Sequence, residues 1–240
     1  MSSKARLDQT LVSLGLVISR SQAESYIKLG QVEVNGSQVL KPGYLVAPDD
    51  QVKLKADEQY VSRAGLKLAS VAEALKLDFS GKTVLDIGSS TGGFTDYALR
   101  HGAQKVIAVD VGTNQLHESL KSEPRIELHE KTDIREFQTK HRIDMVLADL
   151  SFISLREILP YVANRLANKR TQIVAMVKPQ FEAGNSNLKH KGVIKNEKIR
   201  RDILKDFESW ATERFVIQDK ADSQVAGSKG NRERFYLLHC

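Results

Sequence analysis

The sequence predicts an α/β protein in which a doubly wound, mostly parallel sheet is preceded by a small α+β module. Three observations carry that prediction. From Ser62 onward, short β-branched runs alternate with helix-length segments, the pattern of a parallel sheet flanked by helices. A glycine-rich stretch, Asp86-Ile-Gly-Ser-Ser-Thr-Gly-Gly-Phe94, directly follows one of these runs and opens a helix. Residues 1–59 have a different texture, with two short helical segments and clipped strand fragments separated by turns.

In the module, Leu7, Leu11 and Leu14 share a helical spacing that stops near Gly15. A second helix opens at Ser19-Arg-Ser-Gln22, a capping-box pattern in which Ser19 and Gln22 satisfy orphan amides, and ends at Gly30. Val32-Glu-Val34 reads as a strand and Asn35-Gly36 as its hairpin turn, with Lys41-Pro-Gly43 and Gln51–Leu54 completing a curled sheet. The polar run Lys55 to Gln59 reads as a linker, which divides the chain into 1–59 and 60–240 with the join at about 55–61. Beyond it, Leu68, Val71, Ala72 and Leu75 form one helical stripe. Strands are predicted at Thr83–Ile87, Val106–Asp110, Ile126–His129, Ile143–Ala148, Ile173–Lys178, Phe215–Gln218 and Phe235–His239. No helix-length segment separates the last two, so they should form an antiparallel hairpin at the sheet edge.

The composition fits a globular protein with a real core: of 240 residues, 41% are hydrophobic and 28% charged. The longest apolar runs, such as Ile173–Val177, fall far short of the ~20 residues of a membrane span. Leu11 to Ile18 is apolar, but Asp8 and Gln9 precede it and Arg20 follows, which does not suit a signal peptide, so a cytoplasmic location is expected. The one cysteine, Cys240, allows no internal disulfide, and the six histidines show no metal-ligand spacing, so no metal is expected. Net charge is +6, which favours a polyanionic partner. Most of the excess lies in 185–205, where Lys189, Lys191, Lys195, Lys198, Arg200, Arg201 and Lys205 face only Glu197 and Asp202. A solvated helix face is the plainer reading of such a run.

The Asp86–Phe94 stretch is the strongest motif, because open α/β sheets bind ligands outside the carboxyl ends of their strands at the switch point. Gly88, Gly92 and Gly93 let the backbone turn and approach a ligand. A nicotinamide dinucleotide would want glycine at Ser90 and would not tolerate Asp86 beside its pyrophosphate. A ligand with an ammonium and a sulfonium, S-adenosylmethionine, favours that carboxylate. Asp110, at the end of the next strand, is placed to accept from ribose hydroxyls, and Asp133 after the third strand to lie near an adenine. Phe94 closes the set of cofactor candidates.

Four charged residues fall near the same sheet edge. Lys67 lies on the helix before the first strand, Asp149 and Lys178 end the fourth and fifth strands, and Glu233 precedes the last. A lysine at the end of a buried apolar run demands a partner.

With these motifs, and with Arg6-Leu-Asp8, Ser19-Arg20, Gly30-Gln-Val32, Val34-Asn-Gly36 and Lys41-Pro42 in the module, the chain resembles the hemolysin A (TlyA) family. These are ribosomal RNA 2′-O-methyltransferases with an S4-type RNA-binding module and an FtsJ-like catalytic part. The resemblance spans essentially the whole chain. It implies a Rossmann-like S-adenosylmethionine-dependent methyltransferase sheet, a monomeric protein acting on ribosomal RNA within ribosomal subunits, cytidine as the target nucleoside, and Lys67, Asp149, Lys178 and Glu233 as a catalytic tetrad. Gln224, where proline is expected in relatives, is a departure. In the mechanism so implied, Lys178 is the general base, with Lys67 lowering its pKa by repulsion and the two acids orienting lysines and hydroxyl. Arg6, Arg20, Lys28, Lys189, Lys191, Arg200 and Arg201 are the candidate RNA contacts. A non-catalytic ribosome-assembly factor, a membrane-active hemolysin and a small-molecule methyltransferase are the alternatives.

Overall fold

The computed structural model describes residues 4–56, 59–183, 192–194, 196–227 and 230–240. Strand β1 (Ala5–Arg6) runs into helix α1 (Leu7–Ser13), which packs against α2 (Arg20–Lys28). Leu7 and Leu11 are fully buried, whereas Leu14 is 56% exposed. The helix ends at Ser13, so the third leucine falls on the C-cap and its side chain is not carried inward. Ser19 caps α2 as expected, its Oγ accepting the Gln22 amide at 3.2 Å. The return bond differs: Gln22 Oε1 accepts the Ile18 amide, one residue outside the cap, while Nε2 donates to the Tyr60 carbonyl at 2.8 Å. The cap therefore also ties α2 to the connecting segment.

Strands β2 (Val32–Val34), β3 (Ser37–Gln38) and β5 (Val52–Leu54) form an antiparallel sheet in the order β3-β2-β5, and β4 (Leu45–Val46) pairs with β1. The β2–β3 turn has Asn35 at φ 52° and Gly36 at φ 77°, the positive pair a two-residue hairpin requires.

Helix α3 (Arg63–Ala72) follows, with Leu68, Val71 and Ala72 buried on one stripe and Leu75 buried just beyond the helix. The main sheet contains β6 (Thr83–Ile87), β7 (Lys105–Val109), β8 (Ile126–His129), β9 (Met145–Ala148), β10 (Gln172–Val177), β11 (Val216–Asp222) and β12 (Arg234–His239). Their order is β11-β12-β10-β9-β6-β7-β8, with β6 to β10 parallel and β12 antiparallel to both neighbours. The hairpin is real, but only β11 is at the edge; β12 lies inside the sheet. The residues explain this. Phe235-Tyr-Leu-Leu238 is buried on both faces, whereas β11 carries Gln, Asp and Lys and a register shift between Ile217 and Asp219, features that suit an edge.

One face of the sheet packs against α3 and α4 (Gly93–Arg100), the other against α5 (Leu155–Arg165) and α7 (Glu197–Thr212), with the short α6 (Pro179–Glu182) after β10. Along β6, Val84 belongs to the first core and Leu85 and Ile87 to the second. Strand order reverses at β6, between β7 and β9, so the carboxyl ends of these strands frame the crevice in which such sheets bind ligands.

Candidate active site

The loop after β6 makes the first wall. Gly88 has φ 77°, and a Cβ there would stand 2.8 Å from the Asp149 carbonyl, so only glycine lets β6 and β9 exit side by side. Gly92 caps α4, and a Cβ on Gly93 would clash with Ser62 and Ala64, which places the start of α3 against the loop. Asp86 is 1% exposed. Its Oδ2 accepts from Thr95 Oγ1 at 2.6 Å, while Oδ1 is buried without a hydrogen-bond partner among the described residues. Burial pushes this carboxyl up to about 7, against the pull of the Thr95 bond and with added repulsion from Asp149 and Asp110. A cavity of about 150 Å³ opens beside it, walled by Ala64, Asp86, Gly88, Ser89, Ser90, Thr91, Phe94, Asp149, Ser151 and Lys178. Larger clefts lie elsewhere, one of about 420 Å³ between the module and α3 and one of about 450 Å³ beside β11, but neither contains these acids, the glycine loop or Lys178.

Asp110 follows β7, and both its oxygens are engaged: Oδ2 accepts the Ser90 amide at 2.8 Å and Oδ1 the Gly112 amide at 2.6 Å. It therefore shapes the glycine loop as well as facing the crevice. Lys131 and Thr132 donate their amides to the Gly112 and Asp110 carbonyls, which brings the segment after β8 alongside. Asp133, in that segment, holds Arg135 at 2.6 Å through a bidentate bond, and this arginine keeps its carboxyl below the usual range. Val111 between them is 71% exposed, an apolar surface that sequence reasoning passed over because one valine after a strand carries no signal.

The four tetrad residues form two ion pairs. Lys178 Nζ lies 2.5 Å from Asp149 and donates to Ser151 Oγ at 2.7 Å, at the cavity wall. Lys67 Nζ donates to Glu233 Oε1 at 3.0 Å, with both side chains buried. Glu233 Oε2 is buried without a hydrogen-bond partner among the described residues. The Lys67 charge is thus countered by Glu233 in direct contact. Neither Ser151 nor its neighbour Phe152 was singled out from sequence. Phe152 has φ 69°, uncommon for a bulky residue, and is 91% exposed, with its ring 5.3 Å from that of Phe181. The only available signal was position, two and three residues after an acid that ends a strand.

The RNA candidates separate sharply. Arg6 and Arg20 converge on the buried Asp8, each at 2.8 Å, yet remain 42% and 52% exposed. Lys28 and Arg201 are exposed. Arg200 is a correction: it is 4% exposed, bonded to Asp222 at 2.6 Å and to the Arg232 carbonyl, and ties α7 to the β11–β12 hairpin. Burial, with these two bonds, takes its side chain off the surface that a phosphate could reach. Lys189, Lys191 and Lys195 lie outside the described residues.

Residues 60–239 match the FtsJ-like methyltransferase family and residues 5–52 the S4 domain. A Campylobacter jejuni protein named 23S rRNA (cytidine-2′-O)-methyltransferase TlyA is 39% identical over 246 residues, covering 94% of this chain and 96% of its own. The Mycobacterium tuberculosis 16S/23S rRNA (cytidine-2′-O)-methyltransferase TlyA is 39% identical over 210 residues, covering 85% and 78%. The chain belongs to the TlyA family. A solved structure of a Streptococcus thermophilus protein assigned as a hemolysin is similar, with a TM-score of 0.72 and 36% identity over 100% of this chain and 89% of that one. Among the described residues, no helix is long and apolar enough to cross a membrane.

Proposed function

We propose that this protein methylates the 2′-hydroxyl of a cytidine ribose in ribosomal RNA, using S-adenosylmethionine. The observation that carries the reading is the cavity itself. One wall holds a buried carboxylate with an unpartnered oxygen and another a lysine fixed by an acid and a hydroxyl. The names of the TlyA relatives support the substrate.

The residues fit the cofactor. Asp86 Oδ1 lacks a partner that an ammonium would provide, and the Gly88 turn leaves space that a Cβ would fill. Asp86 would hold the amino-acid end and Asp110 the ribose hydroxyls, with the exposed Val111 beneath the base. When bound, S-adenosylmethionine supplies a methyl group activated by its sulfonium.

The chain's own task is then to bring in a weak nucleophile and remove its proton. In its neutral form, Lys178 Nζ accepts the proton of the 2′-hydroxyl; its bond to Ser151 Oγ and its proximity to Asp149 hold it at the cavity wall. General-base catalysis of this kind is worth ~10²–10⁴-fold, about 3–5 kcal/mol of barrier. Glu233, buried behind the cavity wall, neutralises Lys67 through its first oxygen. The exposed Phe152 ring at the rim offers a face on which a nucleobase can stack, at ~1–3 kcal/mol per base. Arg6, Arg20 and Lys28 on the module and Arg201 on α7 supply cations for phosphates.

Methyl transfer from labelled S-adenosylmethionine to separated ribosomal subunits, followed by mapping of the modified nucleotide, tests the reading. Label on a cytidine 2′-oxygen supports it. Label on a base or a protein, or none from folded enzyme, refutes it, and the last outcome would favour a non-catalytic assembly factor.

A further inference from the structure

We infer that Glu182 is a positioning residue for the reaction, clamping the loop after β10 to the loop after β9 so that Lys178 Nζ stays between Asp149 and Ser151. The inference rests on the role proposed above for Lys178.

Glu182 ends α6, four residues beyond Lys178, and is 6% exposed. Its carboxylate reaches across to the neighbouring strand's loop, accepting from Ser154 Oγ at 2.5 Å and from the Leu155 amide at 2.8 Å. The obvious reason for a carboxylate at this place is to cap α5, whose first turn it meets. Ser154, the N-cap of α5, takes only the Arg156 amide, at 3.1 Å, and Glu182 takes the Leu155 amide that this cap leaves free. This acceptor comes from another strand's loop; burial pushes its pKa upward, against the pull of Ser154, Leu155 and the Arg156 guanidinium 3.6 Å away, so the same carboxylate that caps α5 also ties the two loops together.

What the contact does is close a rectangle. Asp149 and Lys178 leave the ends of the adjacent parallel strands β9 and β10. Their two loops are joined at the near end by Lys178 on Asp149 and Ser151, and at the far end by Glu182 on Ser154 and Leu155. Between the two ties lies Phe152 at φ 69°. A strained bulky residue persists only where its flanks are over-determined, and these ties are the flanks. Without the far tie, the stretch from Ser151 to Ser154 can relax toward an ordinary backbone. Ser151 then leaves Lys178, and the lysine loses one of the two groups that aim it. Glu182 does not wall the cavity beside Asp86, so the cofactor should not notice.

The test compares kcat and cofactor affinity in the full-length enzyme, with ribosomal subunits and labelled S-adenosylmethionine. Glu182→Ala should lower kcat about tenfold or more while the calorimetric Kd for S-adenosylmethionine stays within about twofold, since small misplacements of a reacting group are costly. Glu182→Gln should recover kcat to within about threefold of wild type, because its carbonyl can accept from Leu155 and its amide can donate to Ser154. A carboxylate that merely supports the fold would lower Tm without this split. The clamp is overturned if folded Glu182→Ala turns over within about twofold of wild type, or if Glu182→Gln is as impaired as the alanine. Should Glu182→Ala not fold, Ser154→Ala carries the test: severalfold loss of kcat at unchanged cofactor affinity is expected, and unchanged kcat overturns the clamp. Wild-type enzyme inactive on every ribosomal substrate would sink the proposed function and the clamp together; active wild type with an indifferent Glu182→Ala sinks the clamp alone.

Discussion

Lowering the pH from about 7.5 to about 5.5 should weaken S-adenosylmethionine binding, because Asp86 must give up a proton before its unpartnered Oδ1 can face an ammonium. In the ligand-free protein, burial pushes this carboxyl up to about 7. The ammonium demands the ionised form, so affinity is full above that value and is lost as pH falls through it. With one linked proton, each pH unit below about 7 costs up to about tenfold, or ~1.4 kcal/mol. At pH about 5.5 the loss should reach roughly 30-fold, ~2 kcal/mol. The same raised pKa has a second consequence. Between the ordinary aspartate value of 3.8 and about 7, the folded ligand-free chain holds a proton that the unfolded chain has released, so its stability declines as pH rises through that window. Asp86→Asn should abolish that slope, bind the cofactor weakly and show a flat affinity profile. Calorimetry in two buffers of different ionisation enthalpy measures both affinity and protons released. Wild-type affinity that is flat across this range, or binding at acid pH without proton release, would refute the assignment of Asp86 to the ammonium.

Lys178→Arg should be as inactive as Lys178→Ala in methyl transfer with folding and cofactor affinity near wild type, since guanidinium keeps the charge but does not deprotonate; substantial turnover would reduce Lys178 to substrate positioning. Asp110→Ala removes the acceptor for the Ser90 and Gly112 amides as well as any ribose bond, so cofactor affinity should fall by more than the ~1–3 kcal/mol of a single lost anchor; calorimetry on the folded variant reads this, and a loss below that range would place the ribose elsewhere. Arg200→Ala and Arg201→Ala, adjacent in sequence, should separate. The first should lower stability by about 1.5–3 kcal/mol in denaturant titrations, because Asp222 keeps only Arg234. The second should leave stability alone and flatten the salt dependence of RNA binding by about one unit of slope; the reverse pattern would contradict the burial of Arg200.

The elements that could be bounded from sequence are those with chemistry at both ends. β6 begins after Gly81-Lys82 and stops at Gly88, and was read to the residue. β9 was read from Ile143, but the ladder begins at Met145, because the Ile143 carbonyl is taken by the Thr171 hydroxyl. The place of β12 could not be read from local pattern, since a two-sided apolar strand is equally at home beside either neighbour. In the site, the glycines and acids of the β6 loop were legible because backbone geometry restricts which residues stand there. The pairing within the tetrad was not, since Lys67 and Glu233 meet only when the sheet is assembled. Arg200 looked like its neighbours because its burial depends on Asp222, a distant strand residue. Glu182 and Phe152 carried no pattern at all; one is identified by what it reaches, the other by its backbone.

The insertion of β12 between β10 and β11 also bears on how the protein is made. The strand that borders β10 is the last of the sheet to leave the ribosome, so until it arrives the apolar run Ile173–Val177 has one open backbone edge. A nascent chain stalled before Arg234 would therefore carry the whole S4 module beside an exposed, aggregation-prone strand, and would lack Glu233's anchoring strand. Proofreading of such a product needs no dedicated device: the same missing segment that leaves the enzyme idle also marks it for capture by chaperones and proteases.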